Sequence, residues 1–92
     1  MALKFRIIKS NTCKKCIFYI PQLQQQGYQF DIYDGDAPEN QKQLDEWRIT
    51  EFPIVQIVDE NNNLIEQCYP GPIAGRLILA KIKHLESQRL KH

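Results

Sequence analysis

The sequence TCKKC at residues 12–16 places two cysteines, Cys13 and Cys16, where an apolar strand pattern gives way to a helical pattern. Two thiols with two residues between them can close a small disulfide ring. A first cysteine at the start of a helix also lies among backbone N–H groups, which favour a thiolate. In thiol exchange the attacking thiolate forms a mixed disulfide, and a second thiol close by cleaves it. The spacing therefore predicts a dithiol redox site, with Cys13 as the nucleophile and Cys16 as the resolving thiol.

Hydrophobic periodicity and turn residues define the segments on either side of this motif. Residues 3–8 alternate with period two, as in a strand, and the helical pattern after the motif contains Pro21, which predicts a kink. Residues 53–58 are β-branched and almost continuously apolar, as in a central strand covered on both faces. The predicted strands are residues 3–8, 28–33, 53–58 and 64–69, and the predicted helices are residues 13–26, 38–47 and 73–90.

The ends and faces of the predicted helices can also be assigned from the sequence. The run Ser10-Asn11-Thr12 supplies turn and N-cap residues for the first helix. Asp36 or a neighbour is expected to cap the second helix, whose first turn contains Pro38. The last helix is expected to bury an apolar stripe made of Ile73, Leu77, Ile78, Ile82 and Leu85.

The order β-α-β-α-β-β-α predicts an α/β fold with a four-stranded mixed sheet flanked by helices. Two βαβ-type connections, followed by a hairpin with its turn at residues 59–63, account for this order. In such sheets active groups collect at the carboxyl ends of parallel strands, which is where Cys13 lies. The 92 residues suffice for one domain, residues 1–92, and are too few for a second lobe.

Composition and charge narrow the classes of function. The chain is 42% hydrophobic and 25% charged, as in an ordinary globular domain, and its net charge of +1 gives no basic face for nucleic acid. No apolar run approaches the roughly 20 residues that span a bilayer, and the first residues lack a secretory signal. We therefore expect a cytoplasmic protein with no nucleic-acid or membrane partner, and a monomer because no long apolar stripe is left over. Three cysteines, an odd count, favour redox or metal chemistry over a disulfide scaffold.

With its C-x-x-C motif after the first strand, Pro21 eight residues beyond the first cysteine and Phe52–Pro53 opening the central strand, the chain resembles the thioredoxin and glutaredoxin superfamily. The aspartates on either side of Gly35, and Gly71 before the last helix, fit the same pattern. The resemblance spans nearly the whole chain. It implies a thioredoxin fold, a thiol–disulfide oxidoreductase active in electron transport, and a cis Phe52–Pro53 bond that faces the dithiol and positions an extended substrate.

The motif and the resemblance together give a set of candidate site residues. The catalytic candidates are Cys13 and Cys16. The substrate-binding candidates are Thr12, Lys14, Lys15, Phe52, Pro53 and Gly71. The two lysines depart from the Trp-Cys-Gly-Pro-Cys and Cys-Pro-Tyr-Cys motifs of the superfamily, and their charge should favour a thiolate at the dithiol. No resident metal is expected.

The expected partners are a disulfide-containing protein substrate and an electron donor, either a reductase or glutathione, with no resident cofactor. A glutaredoxin-like enzyme that uses glutathione is the first alternative, although Gly71-Pro72 lacks the second glycine and the acidic residue of that pattern. A non-enzymatic binding or metal-handling module is the second. Zinc would need two more ligands, and Cys68, His84 and His92 have no paired spacing. Cys68 is interpreted as a small apolar residue of the last strand or as a regulatory thiol.

Overall fold

The computed structural model describes residues 3–68 and 71–89, and the order of its elements matches the predicted order. The chain forms strand β1 (Lys4–Lys9), helix α1 (Lys14–Gln25), strand β2 (Asp31–Asp34), a 3-10 turn (Pro38–Asn40), helix α2 (Gln41–Glu46), strand β3 (Ile54–Val58), strand β4 (Leu64–Gln67) and helix α3 (Gly75–Arg89). Helix α1 continues across Pro21 as one element. The predicted ends of the last strand at Tyr69 and of the last helix at Leu90 lie outside the described residues.

The four strands form one mixed sheet in the order β2-β1-β3-β4. Strand β1 pairs parallel with β2 and antiparallel with β3, and β3 pairs antiparallel with β4. The predicted mixed sheet and the central place of β3 are confirmed. The prediction of a second βαβ-type connection is wrong, because β3 lies on the far side of β1 and runs against it. Hydrophobic periodicity marks a strand but carries no information about its direction.

Hydrophobic side chains pack on both faces of this sheet. On one face, α1 and α3 contribute to a large buried cluster made of Leu3, Phe5, Ile7, Tyr19, Ile20, Leu23, Val55, Ile57, Ile78 and Ile82. On the other face, α2 contributes to a smaller cluster made of Ile8, Leu44, Ile49 and Ile54. All of β3 is buried, as its continuous apolar run predicts. The sheet is thus the middle of three layers, with α1 and α3 on one side and α2 on the other.

Strand β2 is shorter than predicted and begins at Asp31 rather than at Tyr28. The backbone N–H of Tyr28 closes the end of α1 by donating to the carbonyl of Leu23 at 3.2 Å. Phe30 packs against the larger cluster, with its ring centroid 5.2 Å from that of Phe5. The alternating pattern of this segment therefore reflects a helix end and a core contact instead of strand pairing.

Helix α3 begins at Gly75, two residues later than predicted, and Leu77 is 55% exposed instead of buried. Ile78 and Ile82 are buried, and Leu85 packs against the same cluster. These three side chains follow the i, i+4, i+7 spacing of one helix face. Leu77 lies outside this face, so the predicted apolar stripe is too wide.

The residues before α3 and the second predicted helix also differ from the prediction. Ile73 stays outside α3, where its carbonyl accepts a hydrogen bond from the hydroxyl of Tyr19 at 2.5 Å. The second predicted helix is divided into the 3-10 turn and α2, which ends at Glu46. Ala37 precedes the turn without a side-chain cap, so the prediction that Asp36 or a neighbour caps this helix is wrong. The contacts of Asp36 lie at the dithiol loop.

Candidate active site

The loop between β1 and α1 places Cys13 immediately before the helix. The backbone N–H of Cys13 donates to the carbonyl of Ser10 at 3.2 Å, which turns the chain from strand to helix. Cys13 is itself the N-cap residue, because its Sγ accepts a hydrogen bond from the backbone N–H of Cys16 at 3.3 Å. The expected cap within Ser10-Asn11-Thr12 is therefore wrong, and sulfur takes the place of the usual oxygen acceptor.

The two cysteines differ in exposure. Cys13 is half-buried and borders an open groove, whereas Cys16 is only 2% exposed. Cys13 Sγ also donates a hydrogen bond to the carbonyl oxygen of Phe52 at 3.5 Å. Both cysteines are free thiols in this structure. Cys13 is thus the more accessible of the two cysteines, and the division of roles between them stays a prediction.

Burial also sets the chemistry of the second thiol. The pKa of Cys16 is raised to about 11, chiefly because burial disfavours the thiolate and further because of its hydrogen bond with Cys13. Cys16 is thus protonated at neutral pH.

The Phe52–Pro53 peptide bond is cis, which confirms the expectation from the family resemblance. Pro53 is fully buried at the head of β3, whereas Phe52 is half-buried and directs its carbonyl at the Cys13 sulfur. The carbonyl of Pro53 accepts a hydrogen bond from the backbone N–H of Gly71 at 3.0 Å. The segment before β3 is therefore fixed on one side by Gly71 and faces the dithiol on the other.

A groove of about 520 Å³ opens beside the nucleophile and is called the dithiol groove below. Its lining residues are Ser10, Thr12, Cys13, Lys14, Lys15, Thr50, Glu51 and Phe52. The predicted substrate-binding residues that it brings together are Thr12, Lys14, Lys15 and Phe52. Pro53 is buried next to Phe52. Gly71 lines a neighbouring groove with Cys68 and Leu77, and its hydrogen bond to Pro53 links it to the site.

Ser10 and Asp36 hold the loop before the nucleophile, although the sequence did not indicate this role. The Asp36 carboxylate accepts hydrogen bonds from Ser10 Oγ at 2.8 Å and from the backbone N–H of Asn11 at 2.5 Å. These bonds lower the pKa of Asp36, with the Asn11 N–H as the main cause. The Asp34-Gly35-Asp36 motif predicts a turn, but partners 25 and 26 residues apart leave no local signal.

Gly35 brings this turn close to the site. Its backbone N–H donates to the carbonyl of Lys9 at 2.7 Å. A β-carbon at Gly35 would meet the Phe52 ring at 2.5 Å and the Lys9 carbonyl at 2.6 Å. The turn after β2, the loop after β1 and Phe52 therefore form one packed unit around Cys13.

Comparisons with known proteins give structural neighbours at low sequence identity. No family model and no curated protein sequence matches the chain. Matching solved structures include thioredoxin 1 from Thermosipho africanus (22% identity, TM-score 0.63, covering 94% of this chain and 98% of that one) and an uncharacterised thioredoxin-like protein from Clostridium perfringens (16%, 0.67, 91% and 71%). A chain in the crystal structure of a complex of ferredoxin:thioredoxin reductase and thioredoxin f2 also matches (16%, 0.65, 96% and 78%). The chain has the thioredoxin fold.

The resemblance to the thioredoxin and glutaredoxin superfamily, predicted from the motif and the prolines, is thus confirmed for the fold. Within this thioredoxin fold the dithiol lies just beyond the carboxyl end of β1, the position that the sequence predicts. At identities of 22% or less, these neighbours show the fold alone, and the chemistry depends on the residues of the site.

Cys68, the third cysteine, lies directly after β4 in this thioredoxin fold and packs against the larger core cluster. Its backbone N–H donates to the carbonyl of Val55 at 2.9 Å, and burial raises the pKa of its thiol. This environment agrees with the interpretation of Cys68 as a small apolar residue. Among residues 3–68 and 71–89, no three Cys, His, Asp or Glu side chains lie together as metal ligands, and no helix is long and apolar enough to cross a membrane.

Proposed function

We propose that this protein is a thiol–disulfide oxidoreductase that exchanges electrons with protein disulfides through Cys13 and Cys16. The observation that carries the proposal is the pairing of a half-buried sulfur at the N-terminal end of α1 with a second, enclosed sulfur within the first turn. Another protein can reach the first sulfur and not the second, so attack and release fall to different thiols. The thioredoxin fold supports this proposal at the level of architecture.

The proposed reaction transfers two electrons in two exchange steps. The Cys13 thiolate attacks one sulfur of the target disulfide. The bond between Cys13 and the target forms as the target S–S bond breaks, and the other target sulfur leaves as a thiolate. Cys16, after giving its proton to solvent, attacks Cys13 Sγ, forms the intramolecular disulfide and releases the second target thiolate. The target is reduced and the dithiol is oxidised; the reverse sequence oxidises a target dithiol.

The dithiol groove is the proposed binding site for the target segment. The Phe52 carbonyl lies 3.5 Å from Cys13 Sγ, so an extended backbone that brings its sulfur to Cys13 is within reach of that carbonyl. Pro53, buried and tied to Gly71, holds the carbonyl in place. We assign these residues and Thr12 a positioning role, because attack requires the sulfur atoms to be aligned.

Turnover as a reductant requires a donor that returns the Cys13–Cys16 disulfide to the dithiol. We assign this role to a protein reductase or to glutathione. The structural neighbour found in a complex of a reductase with a thioredoxin supports a protein donor. The proposal needs no bound cofactor, because the two thiols themselves carry both electrons.

A redox titration in glutathione buffers, with thiols trapped and species counted by intact mass, tests the proposal. We expect a single intramolecular disulfide to form at a defined potential in the wild type and in Cys68→Ser, the matched control. Neither Cys13→Ser nor Cys16→Ser should form it. Thiols that stay free across the whole range, or a reaction confined to Cys68, would contradict the proposal and favour the binding or metal-handling module.

Activity is tested separately by reduction of an insulin-type disulfide with dithiothreitol as the donor. Wild type and Cys68→Ser should accelerate the reaction, and Cys13→Ser should not. Cys16→Ser should accumulate a mixed disulfide with the substrate, because the second exchange step is blocked. Efficient reduction of glutathione mixed disulfides, with glutathione replacing dithiothreitol, would instead favour the glutaredoxin-like alternative.

A further inference from the structure

Lys14 and Lys15 are exposed and line the dithiol groove together with Cys13. The ion pairs formed within the described part of the chain involve other lysines, Lys4 and Lys81. Neither lysine of the motif is therefore neutralised by an acidic side chain of residues 3–68 or 71–89. Two ammonium groups are available to a molecule that approaches the nucleophile.

Other charged groups near the dithiol do not cancel this pair. Glu51 is the acidic residue in the lining of the groove. Asp36 is engaged through both oxygens by Ser10 and Asn11, and Lys9 Nζ donates to the side-chain oxygen of Asn11 at 2.5 Å. The lining thus presents two positive charges and one negative charge, and outside it the negative charge of Asp36 is offset by the neighbouring Lys9.

We infer that the target segment beside the reactive disulfide is acidic, an inference that rests on the proposed function. Lys14 and Lys15 occupy the positions between the two cysteines, so a segment that delivers its sulfur to Cys13 passes close to them. Exposed charges act on each other over about the Debye length, roughly 8 Å at physiological ionic strength, so charges on a segment that enters the groove are felt by both lysines. An acidic flank is attracted and a basic flank is repelled.

The attraction between the two lysines and an acidic segment mainly changes the rate at which the two proteins associate. Exposed charges at the rim of a contact change the association rate and its salt dependence more than the lifetime of the complex. The exchange chemistry is unchanged: Cys13 attacks, the target S–S bond breaks, and Cys16 displaces the target sulfur. The lysines therefore select among disulfides by the charge of the neighbouring sequence.

The test compares two synthetic peptides that share one disulfide and differ only in flanking glutamates or lysines. The measured quantity is the second-order rate constant for attack by Cys13 in the Cys16→Ser background, at low and at high salt. At low salt we expect the glutamate peptide to react about tenfold faster than the lysine peptide, as electrostatic steering produces. The ratio should fall towards one at high salt.

Matched charge variants separate the motif lysines from the net charge of the protein. The double variant Lys14→Gln/Lys15→Gln should lose the preference for the glutamate peptide. The double variant Lys42→Gln/Lys83→Gln has the same net charge, changes exposed lysines on α2 and α3, and should keep it. Alkylation of Cys13 by a neutral reagent corrects for any change in thiol reactivity, which would affect both peptides equally.

Equal rates for both peptides with a reactive Cys13, a faster lysine peptide, or a preference that survives Lys14→Gln/Lys15→Gln would overturn the inference and leave the proposed function standing. Failure of Cys13 to react with either peptide would overturn the proposed function and the inference together. Glu51→Gln should raise the preference for the glutamate peptide, because it removes the negative charge from the groove lining.

Discussion

Asp36 is a single residue in one loop that fixes the position of a nucleophile in another. Its carboxylate accepts hydrogen bonds from Ser10 Oγ and from the backbone N–H of Asn11, and Ser10 Oγ lies 3.0 Å from Thr12 Oγ1. Ser10 is buried, so its hydroxyl depends on these protein partners. The contacts end one residue before Cys13. The placement of the nucleophile therefore depends on a carboxylate that takes no part in the exchange itself.

Replacing Asp36 with alanine is expected to slow attack by Cys13 about tenfold, because small losses of alignment at a reacting atom are costly. The measurement is the second-order rate constant with a small neutral disulfide in the Cys16→Ser background, which isolates the first step. Asp36→Asn keeps an acceptor oxygen and should recover part of the rate. Increased hydrogen exchange at the Asn11 amide should accompany the slower attack.

Asp45→Ala is the control for this prediction, because Asp45 is an exposed acid on α2 away from the dithiol groove. It changes the net charge by the same amount and should leave the rate unchanged. An Asp36→Ala protein that reacts as fast as the wild type would show that the β1–α1 loop holds its shape without the carboxylate.

The elements around the site meet through Gly35, where the turn after β2 touches the loop after β1. Gly35→Ala is expected to lower the free energy of unfolding by about 1–3 kcal/mol, the usual cost of overpacking. A β-carbon would overlap the Phe52 ring and the Lys9 carbonyl, and the carbonyl is main chain that cannot rotate away. Urea unfolding measures the loss.

The same substitution should also slow attack by Cys13, because a displaced Phe52 moves the carbonyl next to the sulfur. In Gly35→Ala/Phe52→Leu part of the ring overlap is relieved, and the overlap with Lys9 remains. The double variant should therefore be less stable than Phe52→Leu, but by less than Gly35→Ala is less stable than the wild type. Wild-type stability in Gly35→Ala would mean that the turn shifts freely and does not support the site.

Local signals explain which elements the sequence predicted well. The apolar run of β3 and the cysteine pair at the start of α1 are encoded within a few residues, so their identity and place could be predicted. Leu77 and Tyr28 were assigned wrongly, because periodicity does not fix the exact helix face or distinguish a strand from a helix end followed by a core contact. The direction of β3 depends on pairing with β1, which no local pattern records.

In the candidate site, too, the features encoded by neighbouring residues could be predicted and those that depend on strand order could not. Cys13 and Cys16 are adjacent in sequence and could be assigned directly, and the resemblance to a known superfamily supplied Phe52–Pro53. The contact of Asp36 with Asn11 arises because β1 and β2 are parallel neighbours that end side by side. Such a contact becomes visible only when the strand order is known.

Across the whole molecule, three side chains have a pKa that is raised by burial. Burial raises the pKa of Cys16, Tyr19 and Cys68. A group with a raised pKa in the folded state keeps its proton longer than in the unfolded chain. Its contribution to stability is complete below the unfolded pKa and is lost as the pH rises through the folded value. The reduced protein should therefore lose stability in alkaline solution.

Cys16 defines the pH range of this loss of stability, because its pKa rises from 9.0 to about 11 on folding. We expect the reduced protein to lose about 1 kcal/mol of unfolding free energy through Cys16 between roughly pH 8 and pH 10. Urea unfolding at the two pH values measures the loss. Cys16→Ser lacks the thiol, and the oxidised wild type has no Cys16 proton in either state, so both should show a smaller loss. An undiminished loss in both proteins would mean that ionisation of Cys16 is not coupled to folding, and that the second thiol is more open to water than its enclosure indicates.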